Sequence, residues 1–120
     1  VQIEIDADNE LTVQGDRSKL KRVFINLLNN AVDALLNHKV SGPQIQIIAR
    51  QQTDFVSIQV GDNGPGIPLS LLKSLFEPFV TKNKSNGTGL GLAIVKNYVT
   101  AHGGNISVLN DNGAVFNIKL

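Results

Sequence analysis

Asn26, Asn30 and Asp33 fall within about 60° of arc when residues 17–37 are set on a helical wheel. Leu20, Val23, Phe24, Leu27, Leu28, Ala31, Ala34 and Leu35 share the broad apolar face of the same helix. Asn and Asp are mediocre helix formers, each about 0.6 kcal/mol worse than Ala. Gathered on one face, they need either a solvent or a ligand explanation. Lys and Glu would serve solvation better. Asparagine offers a neutral carbonyl oxygen to a hard cation and an amide donor to an anion, which suits a metal–phosphate ligand. Only Asp33 is charged here, so the ligand's phosphates would have to supply most of the negative charge.

Six of the eleven glycines lie between Gly61 and Gly91, in two clusters. In Asp62-Asn63-Gly64-Pro65-Gly66 the carboxylate can accept a hydrogen bond in a cleft, and the glycines let the backbone approach a flat ligand. The same five residues would also make an ordinary turn. Gly87-Thr88-Gly89-Leu90-Gly91-Leu92 runs straight into an apolar helix, leaving amide hydrogens at a positive helix end, an arrangement suited to phosphate or to a simple hinge. It is no Walker loop, because no Gly-Lys-Ser/Thr follows. It also fails the dinucleotide fingerprint, because a polar loop precedes it and no acidic residue lies about 20 residues on. Lys82 and Lys84 could reach a phosphate from the preceding loop or be solvated.

These residues need elements to hold them. Val1, Ile3 and Ile5 alternate with polar residues, and Leu11 and Val13 keep the same period, which predicts two short strands. Asp16 can cap a helix over Arg17–Asn37. Ser41-Gly42-Pro43 breaks the chain before strands at Gln44–Gln51 and Asp54–Gly61. Pro68 suits the first position of a short helix ending near Leu75. Lys82–Asn86 has no apolar period and reads as a mobile loop. A helix follows from about Gly89 to His102, stopped by Gly103-Gly104. A hairpin around Asp111-Asn112-Gly113 closes the chain. Strand pairs separated by helices predict an α+β fold, with helices on one face of a sheet, and disfavour a doubly wound parallel sheet.

Composition narrows the rest. The chain has 120 residues, enough for one domain over 1–120. It has no Cys, which removes disulfides and thiolate chemistry. A net charge of +1 provides no global field to recruit nucleic acid or an anionic membrane. No apolar run approaches the ~20 residues that span a bilayer. Val1 starts inside a strand pattern, which is expected of a fragment of a longer protein.

In order, FINLLNNAVDAL, DNGPGI, FEPFVTK and GTGLGL, with a closing HGG and a Phe-bearing last strand, resemble the catalytic ATP-binding domain of bacterial two-component sensor histidine kinases. This family shares a superfamily with gyrase, mismatch-repair and heat-shock-chaperone ATPases, and the likeness covers essentially the whole chain. The resemblance implies a two-layer sandwich of a mixed, mostly antiparallel sheet under three helices, the Bergerat-type fold. It implies ATP and Mg2+ as ligands, with Asn30 holding the metal and Asn26 matching the second asparagine of that box. Asp62 matches the acceptor of the adenine amino group, with Gly64 and Gly66 shaping the purine pocket, and Ile67 is expected among the ATP-binding residues. Phe76 and Phe79 match the aromatic box anchoring a lid over about Val80–Asn86. Gly87, Thr88, Gly89, Leu90 and Gly91 match the segment facing the phosphates. Three departures stand out. Asp33 occupies a position where the family often has Lys or Arg, Lys82 and Lys84 bracket the lid lysine, and Gly113-Ala114-Val115-Phe116 lacks the usual threonine.

The implied function is transfer of the γ-phosphate of ATP to a histidine on the parent's own helical dimerisation domain, and onward to a response regulator. No acceptor histidine lies within the chain, and no nucleic-acid partner is expected. The parent is expected to be a homodimer, cytoplasmic or anchored in the inner membrane, and this piece monomeric. The alternatives are a superfamily ATPase clamp or chaperone module and a catalytically silent nucleotide-binding module. Asn26 speaks against the first, because a water-splitting relative needs a carboxylate base there.

Overall fold

The computed structural model describes residues 1–80 and 90–120. Its longest element is α1 (Arg17–Asn37), and Asp16 starts it: the Asp16 carboxylate accepts the Ser18 and Lys19 amides at 2.8 and 3.2 Å. A cap of this kind stabilises a helix by about 1 kcal/mol. Val23, Leu27, Ala31 and Leu35, four residues apart, form its buried stripe. Each large side chain in that stripe contributes roughly 1.5–3 kcal/mol by leaving water. Truncating Leu27, which is fully buried, to Ala would cost about 2–5 kcal/mol.

The remaining elements are β1 (Gln2–Ala7), β2 (Gln44–Gln51), β3 (Val56–Asp62), α2 (Leu69–Leu72), α3 (Gly91–Ala101), β4 (Asn105–Asn110) and β5 (Ala114–Lys119). The strands make one sheet in the order β1-β2-β3-β5-β4, with only β1 and β2 parallel. Ile45, Val60, Phe116 and Ile118 are buried with Leu27, Leu92, Val95 and Val99 of the helices in one core. Gln46, Gln59 and Ser107 are exposed, so the strands alternate apolar and polar as a half-covered sheet requires. The outcome is the expected α+β sandwich, with helices on one side of a mixed, mostly antiparallel sheet. No described helix is long and apolar enough to cross a membrane.

One expected strand is absent. Leu11 and Val13 lie in chain without strand pairing, although both are half-buried against the core. A two-residue period marks an extended backbone with one side covered, and packing alone satisfies it without a ladder partner. The acidic N-terminal segment is therefore a single strand, with β1 pairing in parallel with β2 rather than with its neighbour in sequence. All of β1 is exposed, and Arg50 secures it to β2 by donating to the Asp6 carboxylate at 2.7 Å and the Asp6 carbonyl at 3.1 Å. The bond to Arg50, reinforced by its charge, holds the Asp6 carboxyl below its ordinary range. Smaller shifts affect boundaries. β3 runs two residues later at its start than expected, Pro68 caps α2 from outside, and α3 begins at Gly91.

Candidate functional site

A cavity of about 340 Å³ opens between α1 and the chain that leaves β3. Asn30, Ala31 and Ala34 line it from α1, Asp62 from the end of β3, and Gly66, Ile67 and Pro68 from the following loop. Leu71, Leu75, Leu92 and Phe116 make its floor apolar. An apolar cleft of this size carrying a few convergent polar groups is the usual form of a small-molecule site. Asp62 and Asn30 are its principal polar residues contributed by different elements.

Local chemistry accounts for the position of each wall. Asp62 Oδ1 accepts the Gly64 amide at 2.9 Å and the Ala114 amide at 3.4 Å, which fixes the carboxylate between its own loop and β5. Gly113 packs on the other side of Asp62. With φ at +133°, a side chain there would be strained and would also run into the Asp62 carbonyl. Two asparagine amides hold the glycine loop. Asn63 accepts the Gln44 amide at 2.8 Å and donates to the Gly42 carbonyl at 2.9 Å. Asn110, at the end of β4, accepts the Ile67 amide and donates to the Ile67 carbonyl, both at 2.8 Å. Gly66, at φ +80°, lies so close to Asn110 that a Cβ would sit 2.8 Å from its amide oxygen.

At the other end, Asn26 packs against Gly91, whose Cβ position lies 3.4 Å from the Asn26 amide oxygen. The first turn of α3, whose amides have no partner within the helix and carry its positive dipole end, thus meets the asparagine face of α1. Phe76 stands behind the cavity, edge-on to Phe116 at 6.2 Å, with the Lys96 ammonium 5.5 Å from its ring centre.

The structure therefore brings Asn30, Asp62, Gly66 and Ile67 to one cavity. Gly64, Asn26 and Gly91 do not line it but adjoin residues that do or one another. Asp33 is half-buried on α1 without lining the cavity. Phe79 is 59% exposed at φ +69° and lies outside it. Lys82, Lys84, Gly87, Thr88 and Gly89, and most of the expected lid, lie outside the described residues. Sequence reasoning missed Asn63 and Asn110 as loop clamps, because each acts across about 20 or more residues of chain. It also missed Asn37 and His38 in the cavity lining. Their spacing of seven and eight from Asn30, on the same helix face, was the available signal.

Fold and cavity define a class: a two-layer α/β sandwich with a cavity between a long helix and a glycine-bordered strand end. The chain belongs to the family described as histidine kinase-, DNA gyrase B- and HSP90-like ATPases, whose sequence model matches residues 15–120. It is 44% identical over 115 residues to the alginate biosynthesis sensor protein KinB of Pseudomonas aeruginosa, covering 94% of this chain and 19% of that protein. It is 43% identical over 119 residues to the signal transduction histidine-protein kinase AtoS of Escherichia coli, covering 96% of this chain and 19% of that one. The chain thus spans about a fifth of the length of these relatives. Among solved structures, a nucleotide-free form of the catalytic domain of the histidine kinase ThkA superposes with a TM-score of 0.85 at 36% identity, covering 99% of this chain and 77% of that domain.

Proposed function

We propose that this chain is the catalytic domain of a sensor histidine kinase, binding Mg·ATP in the cavity and donating the γ-phosphate to a histidine on a separate helical domain. The observation that carries this reading is that Asp62 and Asn30 line one cavity together with Leu92 from the first turn of α3. The base enters toward Asp62, where the carboxylate accepts from an exocyclic amino group, and the apolar floor covers the ring faces. The phosphates extend toward the amides of the first turn of α3. Among the described residues no three acidic or histidine side chains gather as a metal cage. A magnesium ion would take Asn30 as a protein ligand and most of its other ligands from phosphate oxygens. Such an ion supplies charge neutralisation between phosphates.

In the transfer, an imidazole nitrogen of the acceptor forms the new P–N bond. The bond from the γ-phosphorus to the bridging oxygen breaks, ADP leaves, and the imidazole proton passes to the acceptor side. The chain's contribution is to position and stabilise charge rather than to take a proton. Asn26, packed at Gly91, cannot act as a base for water, which separates this reading from the hydrolytic superfamily members. His38 ends α1 and His102 ends α3, and neither sits in a helical His-Glu-apolar-x-x-Pro acceptor pattern. One solved neighbour is full-length ShkA in complex with AMPPNP, and another is ThkA in complex with the response regulator protein TrrA. Both fit a parent that binds ATP and passes phosphate to a regulator.

The test is phosphotransfer in trans. With radiolabelled Mg·ATP, the chain alone stays unlabelled, and addition of the parent's helical histidine domain yields an acid-labile, base-stable label on that domain. Rapid ATP hydrolysis by the chain alone, near 1 s⁻¹, the low end of typical enzyme rates, would favour the ATPase reading instead.

A further inference from the structure

His38 lies at the end of α1, where it would ordinarily be read as a helix terminus and nothing more. Its backbone amide closes the helix on the Ala34 and Leu36 carbonyls, and its ring Nδ1 lies 3.0 Å from the Ala34 carbonyl oxygen. A carbonyl can only accept, so Nδ1 carries a proton, and in the neutral ring Nε2 bears the lone pair. That arrangement fixes the tautomer and restrains the ring. His38 nevertheless lines the same cavity as Asp62 and Asn30. No hydrogen bond to Nε2 is made by any described residue.

The placement along the helix indicates which end of a ligand it meets. Asn30, Ala34, Asn37 and His38 recur at helical spacing and all line the cavity. Eight residues of α-helix advance about 12 Å. His38 is thus about 12 Å along α1 from the asparagine assigned to the metal and phosphates, which puts it beyond that end of the cavity. Ala34 lies between them and projects only a methyl group, which leaves the cavity continuous from one to the other.

We propose that His38 is a specificity residue for the base, offering through Nε2 a second hydrogen-bond acceptor in the cavity that Asp62 already supplies with one. The proposal rests on the nucleotide reading above. Two such acceptors, Asp62 and His38, above an apolar floor suit a purine carrying an amino group at its six-position, which has two N–H donors to give. A six-keto purine presents lone pairs at that position instead of two N–H donors, and keeps only its N1–H to give at the same edge. His38 therefore contributes to choosing the adenine class over the hypoxanthine and guanine class.

A capping role alone would change stability and leave base preference unmoved, so the test reads preference. Mg·ATP and Mg·ITP are titrated calorimetrically into the unaltered chain, into His38→Ala and into His38→Asn. The Asn variant keeps a polar group suited to a helix end, with a shorter reach than imidazole Nε2. Thermal melts accompany each titration. The expected result is about a tenfold loss of ATP affinity in both variants with less than a twofold change for ITP. Equal losses for both nucleotides, or unchanged ATP affinity in either folded variant, would overturn the role of His38 while leaving the nucleotide reading intact. Failure of the unaltered chain to bind ATP would overturn that reading and this proposal together.

Discussion

Removing the Asn110 side chain should weaken nucleotide binding without touching the ligand. Asn110 sits on β4, yet its amide makes both available hydrogen bonds to the backbone of Ile67, each at 2.8 Å, and so holds the Gly66–Pro68 wall in place. A neutral hydrogen bond contributes about 0.5–1.5 kcal/mol net. Asn110 is exposed, so water replaces much of each bond after truncation, and the low end of that range applies: about 1 kcal/mol for the pair. If the ligand must reorder a loosened wall, that amount is lost from binding. At 1.4 kcal/mol per tenfold, Asn110→Ala should bind Mg·ATP about fivefold more weakly. Calorimetric titration reads the affinity, and amide hydrogen exchange at Ile67 reads the tether. Asn110→Asp keeps the acceptor for the Ile67 amide but sets a carboxylate against the Ile67 carbonyl, and it should bind at least as weakly as the Ala variant. Faster exchange at Ile67 with undiminished affinity would refute the link between wall and ligand. Unchanged exchange would refute the tether itself.

Three further outcomes follow from the same geometry. Asn30→Ala should leave the fold intact, since Asn30 lies off the buried stripe of α1, and should lower magnesium-dependent ATP affinity at least tenfold, about 1.4 kcal/mol, in calorimetry. Asp62→Asn keeps an oxygen for the Gly64 and Ala114 amides but replaces an acceptor with a donor; ATP and ADP should lose affinity by similar factors, and a loss confined to ATP would reassign Asp62 to the phosphate end. Because Arg50 holds the folded-state pKa of Asp6 below its unfolded value, their pairing stabilises the β1 edge above the ordinary carboxylate range. That contribution is lost as pH falls through the lowered value. Hydrogen exchange, corrected for its intrinsic pH dependence, should then show β1 amides losing protection on acidification before those of β3, and Arg50→Ala should remove the difference.

The parts of the fold that could be read from sequence were those set by local chemistry. Asp16 and the four-residue recurrence of Val23, Leu27, Ala31 and Leu35 specify α1 without reference to the rest of the chain. Gly103, at φ +86°, marks the end of α3 in the same way. Leu11 and Val13 misled because alternation reports a covered face, whereas a strand also needs a partner. Whether one is present depends on β2, some 30 residues away, which pairs with β1 instead. Within the site, Asn30 and Asp62 were visible because their residue types are unusual where they stand. Asn63 and Asn110 were not, since an asparagine beside a turn looks the same whether it holds its own loop or another. Their function exists only after β2, β3 and β4 have assembled.

The most direct test of the central claim, that the cavity between α1 and the Asp62 loop takes Mg·ATP with its base toward Asp62, is a titration of the isotope-labelled chain with a non-hydrolysable Mg·ATP analogue, followed by amide chemical shifts. Gly64, Ile67 and Ala114 around Asp62, and Gly91 to Ala93 at the start of α3, should move together along one saturating curve. Gln46, Gln59 and Asn117 on the open face of the sheet should stay still. Shifts confined to that open face, or no saturable shifts at Asp62 and its neighbours, would contradict the account.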